Sequence, residues 1–301
     1  MTNRSYAPFQ LLAFRLYAWI WRFRLLAFAA RIFGKLVNPT LLKRRFCGRW
    51  LYLDVARSNA QRLLYLEGER FMTELPIISG LAAPGDVVVD VGANIGYYAL
   101  LFEKCVGPEG RIIAFEPEPD NLVELRMNVE RNALRNVDIR PSAVGATGGV
   151  VNFARGINGG ILEGSAGATG SEVQVPMTRL DDAVFGAVDL IKIDVEGYEE
   201  EVLRGALETI KRGRPRLFVE IHPTLMTDGR TPDGVMRILQ EHYSRIELCQ
   251  PRRNVASWRK VLARYTGIGA VERLPSWEIV AERCQAQRQD TFWAICRLPR
   301  V

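Results

Sequence analysis

The chain repeats one short pattern: a compact run of β-branched or apolar residues, then a helical stretch. DVVVDV at Asp86–Val91 is nearly continuous in apolar character, as a strand covered on both faces must be. RIIAF (Arg111–Phe115), Val137–Arg140, VDLIKI (Val188–Ile193), RLFVEI (Arg216–Ile221), Ser244–Cys249 and TFWAICR (Thr291–Arg297) supply six more strands. Helices are predicted over Asn59–Leu81, Tyr97–Val106, Asp120–Asn132, Glu199–Arg212 and Asp233–His242. Strands alternating with helices give an α/β fold, a Rossmann-like doubly wound sheet of seven strands. Val150–Ala154 and Glu172–Met177 break the rhythm as a hairpin around the glycine-rich loop Gly156–Gly170, which is either a lid or a plain connection. Arg49–Val55 is a further short strand.

The first strand of the repeat runs into Asp90-Val-Gly92-Ala-Asn94-Ile-Gly96 and then a helix. A strand, a glycine-rich turn and a helix at this place make a nucleotide-binding turn. Gly92 permits a tight turn and close backbone approach, Asn94 tolerates positive φ, and Gly96 lets the helix start near the strand. Glu116 lies 20 residues beyond Gly96, at the end of the second strand, where a carboxylate can take ribose hydroxyls. A dinucleotide turn would need G-x-G-x-x-G, but Asn94 and Tyr97 stand where the later glycines should fall. That disfavours a nicotinamide-dependent oxidoreductase.

The D-x-G-x-N-x-G pattern resembles the first motif of class I S-adenosylmethionine-dependent methyltransferases. DVGANIGYY (Asp90–Tyr98), FEPEPDN (Phe115–Asn121), SAVG (Ser142–Gly145), LIKIDVEGYE (Leu190–Glu199) and FVEIHP (Phe218–Pro223) follow in that order. Together they resemble the FkbM family of methyltransferases over roughly residues 60–250. The resemblance implies O-methylation of a hydroxyl on a glycan, glycolipid or natural product, with S-adenosyl-L-methionine as cofactor. It implies six parallel strands and a last, antiparallel strand at the sheet edge, Thr291–Arg297. Among cofactor-binding candidates Asp90, Gly92, Asn94 and Gly96, the last three would line the methionine end. Glu116 would hold the ribose, Ser142 and Ala143 would flank the adenine, and Asp194 would face the cofactor amine or the acceptor. A catalytically inactive binding protein on the same fold is the other reading, disfavoured because Asp90, Gly92, Gly96, Glu116 and Asp194 are all present.

Strand alternation adds catalytic candidates. Lys192, Asp194 and Glu196 share one face of the fourth strand, and Phe218, Glu220 and His222 share a face of the next. Buried charge is costly unless paired or used. The bland alternative is a Lys192–Glu220 pair with His222 as a hydrogen-bonded core residue. An alcohol is a poor nucleophile, so a base should take its proton; His222 comes first, then Asp194 and Glu196. No metal triad is visible and none is expected, although Asp194 and Glu196 leave a divalent ion open.

The net charge of +6 is unevenly placed. Residues 1–53 carry ten basic and no acidic residues, and 12 of the 28 aromatics, while 54–301 carry a net −4. A mildly acidic body excludes a nucleic-acid partner. The domains are therefore read as 1–53, a basic aromatic helical extension, and 54–301, a methyltransferase domain with core 81–250, a helical insertion 251–289 and a last strand 290–298. Phe9–Val37 is predicted as a helix that either contacts an anionic membrane surface or packs on protein. No apolar run is long enough to span a bilayer. The expected location is the cytoplasm, at the inner face of a membrane if that helix binds one. Five widely spaced cysteines without C-x-x-C fit free thiols rather than zinc.

Overall fold

The computed structural model describes residues 41–71, 74–155, 160–162, 172–251, 271–285 and 291–297. It opens with β1 (Leu41–Phe46), β2 (Arg49–Asp54), α1 (Asn59–Glu67) and α2 (Leu75–Ser79). The alternating core follows: β3 (Val87–Val91), α3 (Tyr97–Val106), β4 (Arg111–Phe115), α4 (Pro119–Arg131) and β5 (Val137–Arg140). Next come β6 (Ala143–Val144), β7 (Gly149–Ala154), β8 (Ile161–Leu162), β9 (Glu172–Thr178) and α5 (Leu180–Ala183). The second half holds β10 (Leu190–Ile193), α6 (Glu199–Arg204), α7 (Leu207–Gly213), β11 (Arg216–Ile221) and α8 (Pro232–His242). The described chain ends with β12 (Ile246–Pro251), β13 (Val271–Leu274), α9 (Trp277–Gln285) and β14 (Phe292–Cys296).

The main sheet has the order β13-β12-β14-β11-β10-β3-β4-β5. Strands β5, β4, β3, β10 and β11 are mutually parallel. β14 runs antiparallel to both of its neighbours, β11 and β12, so β12 points with the parallel set. Two expectations are corrected here. The sheet has eight strands among the described residues rather than seven, because β13, from the stretch read as a helical insertion, pairs with β12. And the last strand is inside the sheet rather than at its edge. Its five residues are all buried, which the continuous apolar run FWAIC requires of an interior strand. A second sheet, β6-β9-β7-β8, contains the expected hairpin of β7 and β9.

Each face of the main sheet has its own core. One is built with α1 to α4, the other with α5 to α9. The helix read over Glu199–Arg212 is two helices. A side chain at Gly205 would fall 1.9 Å from the carbonyl oxygen of Gly145, so the chain bends where backbone meets backbone.

The boundary drawn at residue 53 falls inside β2. β1 and β2 join through Cys47 and Gly48, both at positive φ, as a two-residue hairpin turn requires. Leu42, Phe46, Leu51 and Leu53 from this hairpin belong to the same buried cluster as α3 and α4. The exposed edge of β2 is satisfied by side-chain amides from α4 and its C-cap residue. Backbone N–H of Tyr52 donates to Asn128 Oδ1 at 2.7 Å and that of Trp50 to Asn132 Oδ1 at 2.9 Å. Both asparagines return a bond from Nδ2 to the same residues' carbonyls. Asn128 and Asn132 are four apart and share a helix face, so they act as a surrogate strand. Basic residues Lys43 and Arg45 of β1 lie over the Trp50 ring. The helix read at Phe9–Val37 and its membrane contact lie outside the described residues, as does most of the loop Gly156–Gly170. No helix among the described residues is long and apolar enough to cross a membrane.

Because Phe46 is fully buried in the shared core, Phe46→Ala should destabilise the whole domain by about 3 kcal/mol. Denaturant unfolding followed by fluorescence checks this: one cooperative transition at a lower midpoint is expected. A hairpin that melts separately at an unchanged main midpoint would refute its membership in the domain.

Candidate active site

The turn after β3 is held by charge. Lys192 has no solvent exposure, and the register places it beside Asp90 on one side and Phe218 on the other. Its Nζ lies 3.1 Å from Asp90 Oδ1 and 3.5 Å from Asp194 Oδ2, and donates to the Gly92 carbonyl at 2.9 Å. The Tyr98 ring covers it at 4.7 Å. Burial alone would lower its pKa, but the charges of Asp90 and Asp194 raise it, so the ammonium persists. The suggested Lys192–Glu220 pair is therefore corrected: Glu220 sits two residues further along β11, past the level of Lys192.

Gly92 has φ +80, and a Cβ on it would lie 1.9 Å from the Asp194 carbonyl oxygen. Its missing side chain lets two strand ends touch, a role assigned in advance to ligand approach. Asn94 takes φ 51, as its type allows. Gly96 has φ +92, and its absent Cβ makes room for Leu125 of α4.

These elements surround a cavity of about 180 Å³ at the carboxyl ends of β3, β4, β5 and β10, where open α/β sheets take ligands. Gly92, Asn94, Glu116, Ser142, Ala143 and Asp194, taken from the motif positions, line it, as does Glu196, taken from strand alternation. Asp90, Gly96, Lys192 and His222 do not; Asp90 and Lys192 are sealed beneath the turn and Gly96 packs on α4. Motif reading missed the contributions of Ser58, Gln61 and Leu64 from the α1 region, and of Phe153 and Ile161 from the second sheet. No chemical signal in those residues distinguishes them from ordinary packing.

Glu116 is almost fully buried at the cavity wall. It accepts from the backbone N–H of Asn94 at 2.8 Å and of Glu118 at 3.0 Å, and from Asn121 Nδ2 at 3.1 Å. Burial nonetheless pushes its carboxyl up to about 7. With three of its four lone-pair positions used, it keeps acceptor capacity for a ligand hydroxyl. Among the described residues the lining holds three carboxylates, Glu116, Asp194 and Glu196, and no lysine or arginine.

Behind Asp194 and Glu196 stands His222, at the end of β11 and nine-tenths buried. Its Nδ1 meets Glu199 Oε1 at 2.9 Å. Its Nε2 has Glu196 Oε2 at 3.7 Å, Glu220 Oε1 at 3.8 Å and Asp194 Oδ1 at 4.0 Å. Burial lowers the imidazolium pKa, but the Glu199 bond and the Asp194, Glu199 and Glu196 charges carry it to about 10. A ring so held is already protonated near neutral pH, which argues against His222 as a general base. Burial raises the Glu220 carboxyl well above its ordinary range, helped by Asp194 and Glu74. Glu199 was not singled out among the candidates, although it closes the motif Asp194-Val-Glu-Gly-Tyr-Glu199; its position three residues beyond Glu196 was the available signal.

A family model described as the Methyltransferase FkbM domain matches residues 90–246. The chain belongs to the FkbM methyltransferase family. Its match to the 31-O-demethyl-FK506 methyltransferase FkbM of Streptomyces tacrolimicus is 30% identical over 223 residues, 62% of this chain and 84% of that one. The hexuronic acid methyltransferase AglP of Haloferax volcanii is 29% identical over 192 residues, covering 60% and 71%. The 2-O-methyltransferase NoeI of Sinorhizobium fredii is 27% identical over 212 residues, covering 62% and 86%. The cofactor of this FkbM methyltransferase is S-adenosyl-L-methionine. The cavity suits it: among the described residues its lining offers carboxylates to a sulfonium, an ammonium or a ribose hydroxyl, and no lysine or arginine to a phosphate.

Lys192→Met in this methyltransferase leaves Asp90 as a buried, uncompensated charge. A loss of about 3 kcal/mol is expected, and Asp90→Asn added to it should recover most of that loss. Urea midpoints of the two variants check the coupling; additive losses would show that the pair does not hold the turn.

Proposed function

We propose that this chain transfers a methyl group from S-adenosylmethionine to a hydroxyl of a glycan, glycolipid or related natural product. The observation that carries this reading is the charge of the lining: three carboxylates and no cation among the described residues. Such a pocket disfavours a pyrophosphate and favours a cationic, ribose-bearing donor. At its inner end it also favours a neutral hydroxyl acceptor over an anionic one. One of the relatives is named a 2-O-methyltransferase, and this supports transfer to a hydroxyl oxygen.

In this reading the backbone at Gly92 and Asn94 faces the methionine end, Glu116 accepts from the ribose, and Ser142 and Ala143 border the adenine. Asp194 takes the cofactor amine or orients the acceptor. The cofactor supplies a methyl group already activated by sulfonium charge. The residues around it align the acceptor oxygen and exclude water. The acceptor's proton goes to Asp194 or Glu196, the two acids of this cluster that line the cavity, rather than to His222, whose ring the surrounding acids hold protonated while no cation is bound. Both of these acids face the open space, whereas Glu220 is not part of the lining. Asp90, Gly96 and Lys192 act on the turn and not on the ligands.

Calorimetry with S-adenosylhomocysteine and with NAD tests the assignment. Binding of the first and none of the second is expected; the reverse would overturn it. Because the Glu116 carboxyl is held up at about 7, it is largely protonated at pH 6 and ionised at pH 8. A ribose hydroxyl donates best to the ionised form, so affinity should rise with pH across that window by up to about tenfold. Glu116→Gln should weaken binding about 10- to 100-fold at pH 8 and remove the pH dependence. A pH-independent wild-type affinity would take Glu116 out of the ribose site.

A further inference from the structure

We propose that Asp194, Glu196 and His222 hold a divalent cation at the acceptor end of the cavity, and that this cation takes the acceptor hydroxyl. The inference rests on the methyltransferase reading for what the cation does, but not for whether it binds.

One ligand atom from each residue lies within 4.8 Å of the others. His222 Nε2 stands 3.7 Å from Glu196 Oε2 and 4.0 Å from Asp194 Oδ1. Those separations are too long for hydrogen bonds. They are somewhat wider than the roughly 3 Å between adjacent ligands around one cation at about 2.1 Å, so small side-chain rotations would close the site. The second observation is independent of Asp194 and Glu196. His222 is nine-tenths buried, and its other ring nitrogen is bound by the fully buried Glu199 at 2.9 Å. A carboxylate on Nδ1 fixes the ring and aims Nε2 at the cluster, the arrangement that orients a metal-ligating histidine. Three carboxylate oxygens, including Glu220 Oε1 at 3.8 Å, surround that one nitrogen. A lone pair facing them would be repelled, so the centre calls for positive charge, and a proton on Nε2 can satisfy only one of the three. A cation there displaces the Nε2 proton to solvent and satisfies Asp194 and Glu196 together.

Asp194 and Glu196 line the cavity while His222 lies behind them, so the cation would be reached from the acceptor side. Two carboxylates and one imidazole suit magnesium, manganese or a neighbouring first-row ion rather than a thiophilic one. The bound hydroxyl would be acidified by the cation. Its O–H proton leaves to water, the oxygen–carbon bond forms as the sulfur–carbon bond breaks, and a methyl ether and an uncharged thioether leave. Glu199 acts through His222 and is a positioning residue.

Titration of the full chain with manganese, read by electron paramagnetic resonance of free Mn²⁺ after treatment with a chelator, tests the site. One tight equivalent is expected. Glu196→Gln and His222→Ala should each weaken it at least about tenfold, and Glu199→Gln about 10- to 100-fold. Glu196 is partly exposed and its replacement is near-isosteric, so that variant keeps the test decisive if a histidine variant fails to fold. Absence of a saturable equivalent, or equal affinity in Glu196→Gln, overturns the proposal. Calorimetry with S-adenosylhomocysteine on the same metal-free sample separates the two readings. Cofactor binding without manganese binding defeats only the cation, whereas manganese binding without cofactor binding defeats only the methyltransferase reading.

Discussion

Everything at the active end of this molecule hangs on one buried ammonium. Lys192 bonds the carbonyl of Gly92, pairs with Asp90 at the end of β3 and reaches Asp194 just beyond β10. Two strand ends that each present a carboxylate would otherwise repel. With the lysine between them, the gap closes until a Cβ at Gly92 would overlap the Asp194 carbonyl. The turn then cannot move without unpairing a charge inside the sheet, a cost of several kcal/mol. The cavity floor is thus stiff for an electrostatic reason, and the glycine is the steric condition that allows it.

From that floor the constraint spreads by hydrogen bonds. Asn94 N–H reaches Glu116, which gathers Glu118 and Asn121 at the start of α4. Further along α4, Asn128 bonds both the Ile95 carbonyl and the edge of β2. A hairpin distant in sequence is therefore wired to the ligand turn through one helix. Arg57, with Glu118 and Glu124 at 2.7 and 2.6 Å, ties the start of α1 to the same helix. The residues of α1 that roof the cavity are placed by this clamp.

The alternating strands, the turn at Asp90–Gly96 and the wall residues Glu116, Ser142 and Asp194 were legible in sequence because each rests on local pattern. A strand buried on both faces shows itself in five residues, and a turn that needs positive φ shows itself in glycine and asparagine. What escaped depends on pairing across long separations. β13 reads as VERL, too short and too charged to announce a strand, and only β12 makes it one. The hairpin of β1 and β2 was split because its basic residues suggested a separate segment, while its alternate residues enter the shared core. Asp90 and Gly96 belong to the motif yet miss the cavity, since a motif records what a turn needs as well as what a ligand touches. Glu199 escaped for the converse reason: its place in the motif was visible, but its partner His222 arrives from the end of β11, and the motif does not record that meeting.

Charge decides what such a site can do. A histidine ringed by four carboxylates is a poor base, because the field that attracts a substrate cation also holds the proton on the ring. Burial and the neighbouring Asp194 push the carboxyls of Glu196 and Glu220 up together. The imidazole then serves best as a fixed positive element, or as a ligand that exchanges its proton for a larger charge. In either state His222 lowers the repulsion between Asp194 and Glu196, and so lets two acids stand together at the cavity wall. Positive charge sits under the turn in Lys192 and behind the wall in His222, while negative charge faces the cavity. That ordering leaves the open space itself attractive to a cationic methyl donor and indifferent to a phosphate.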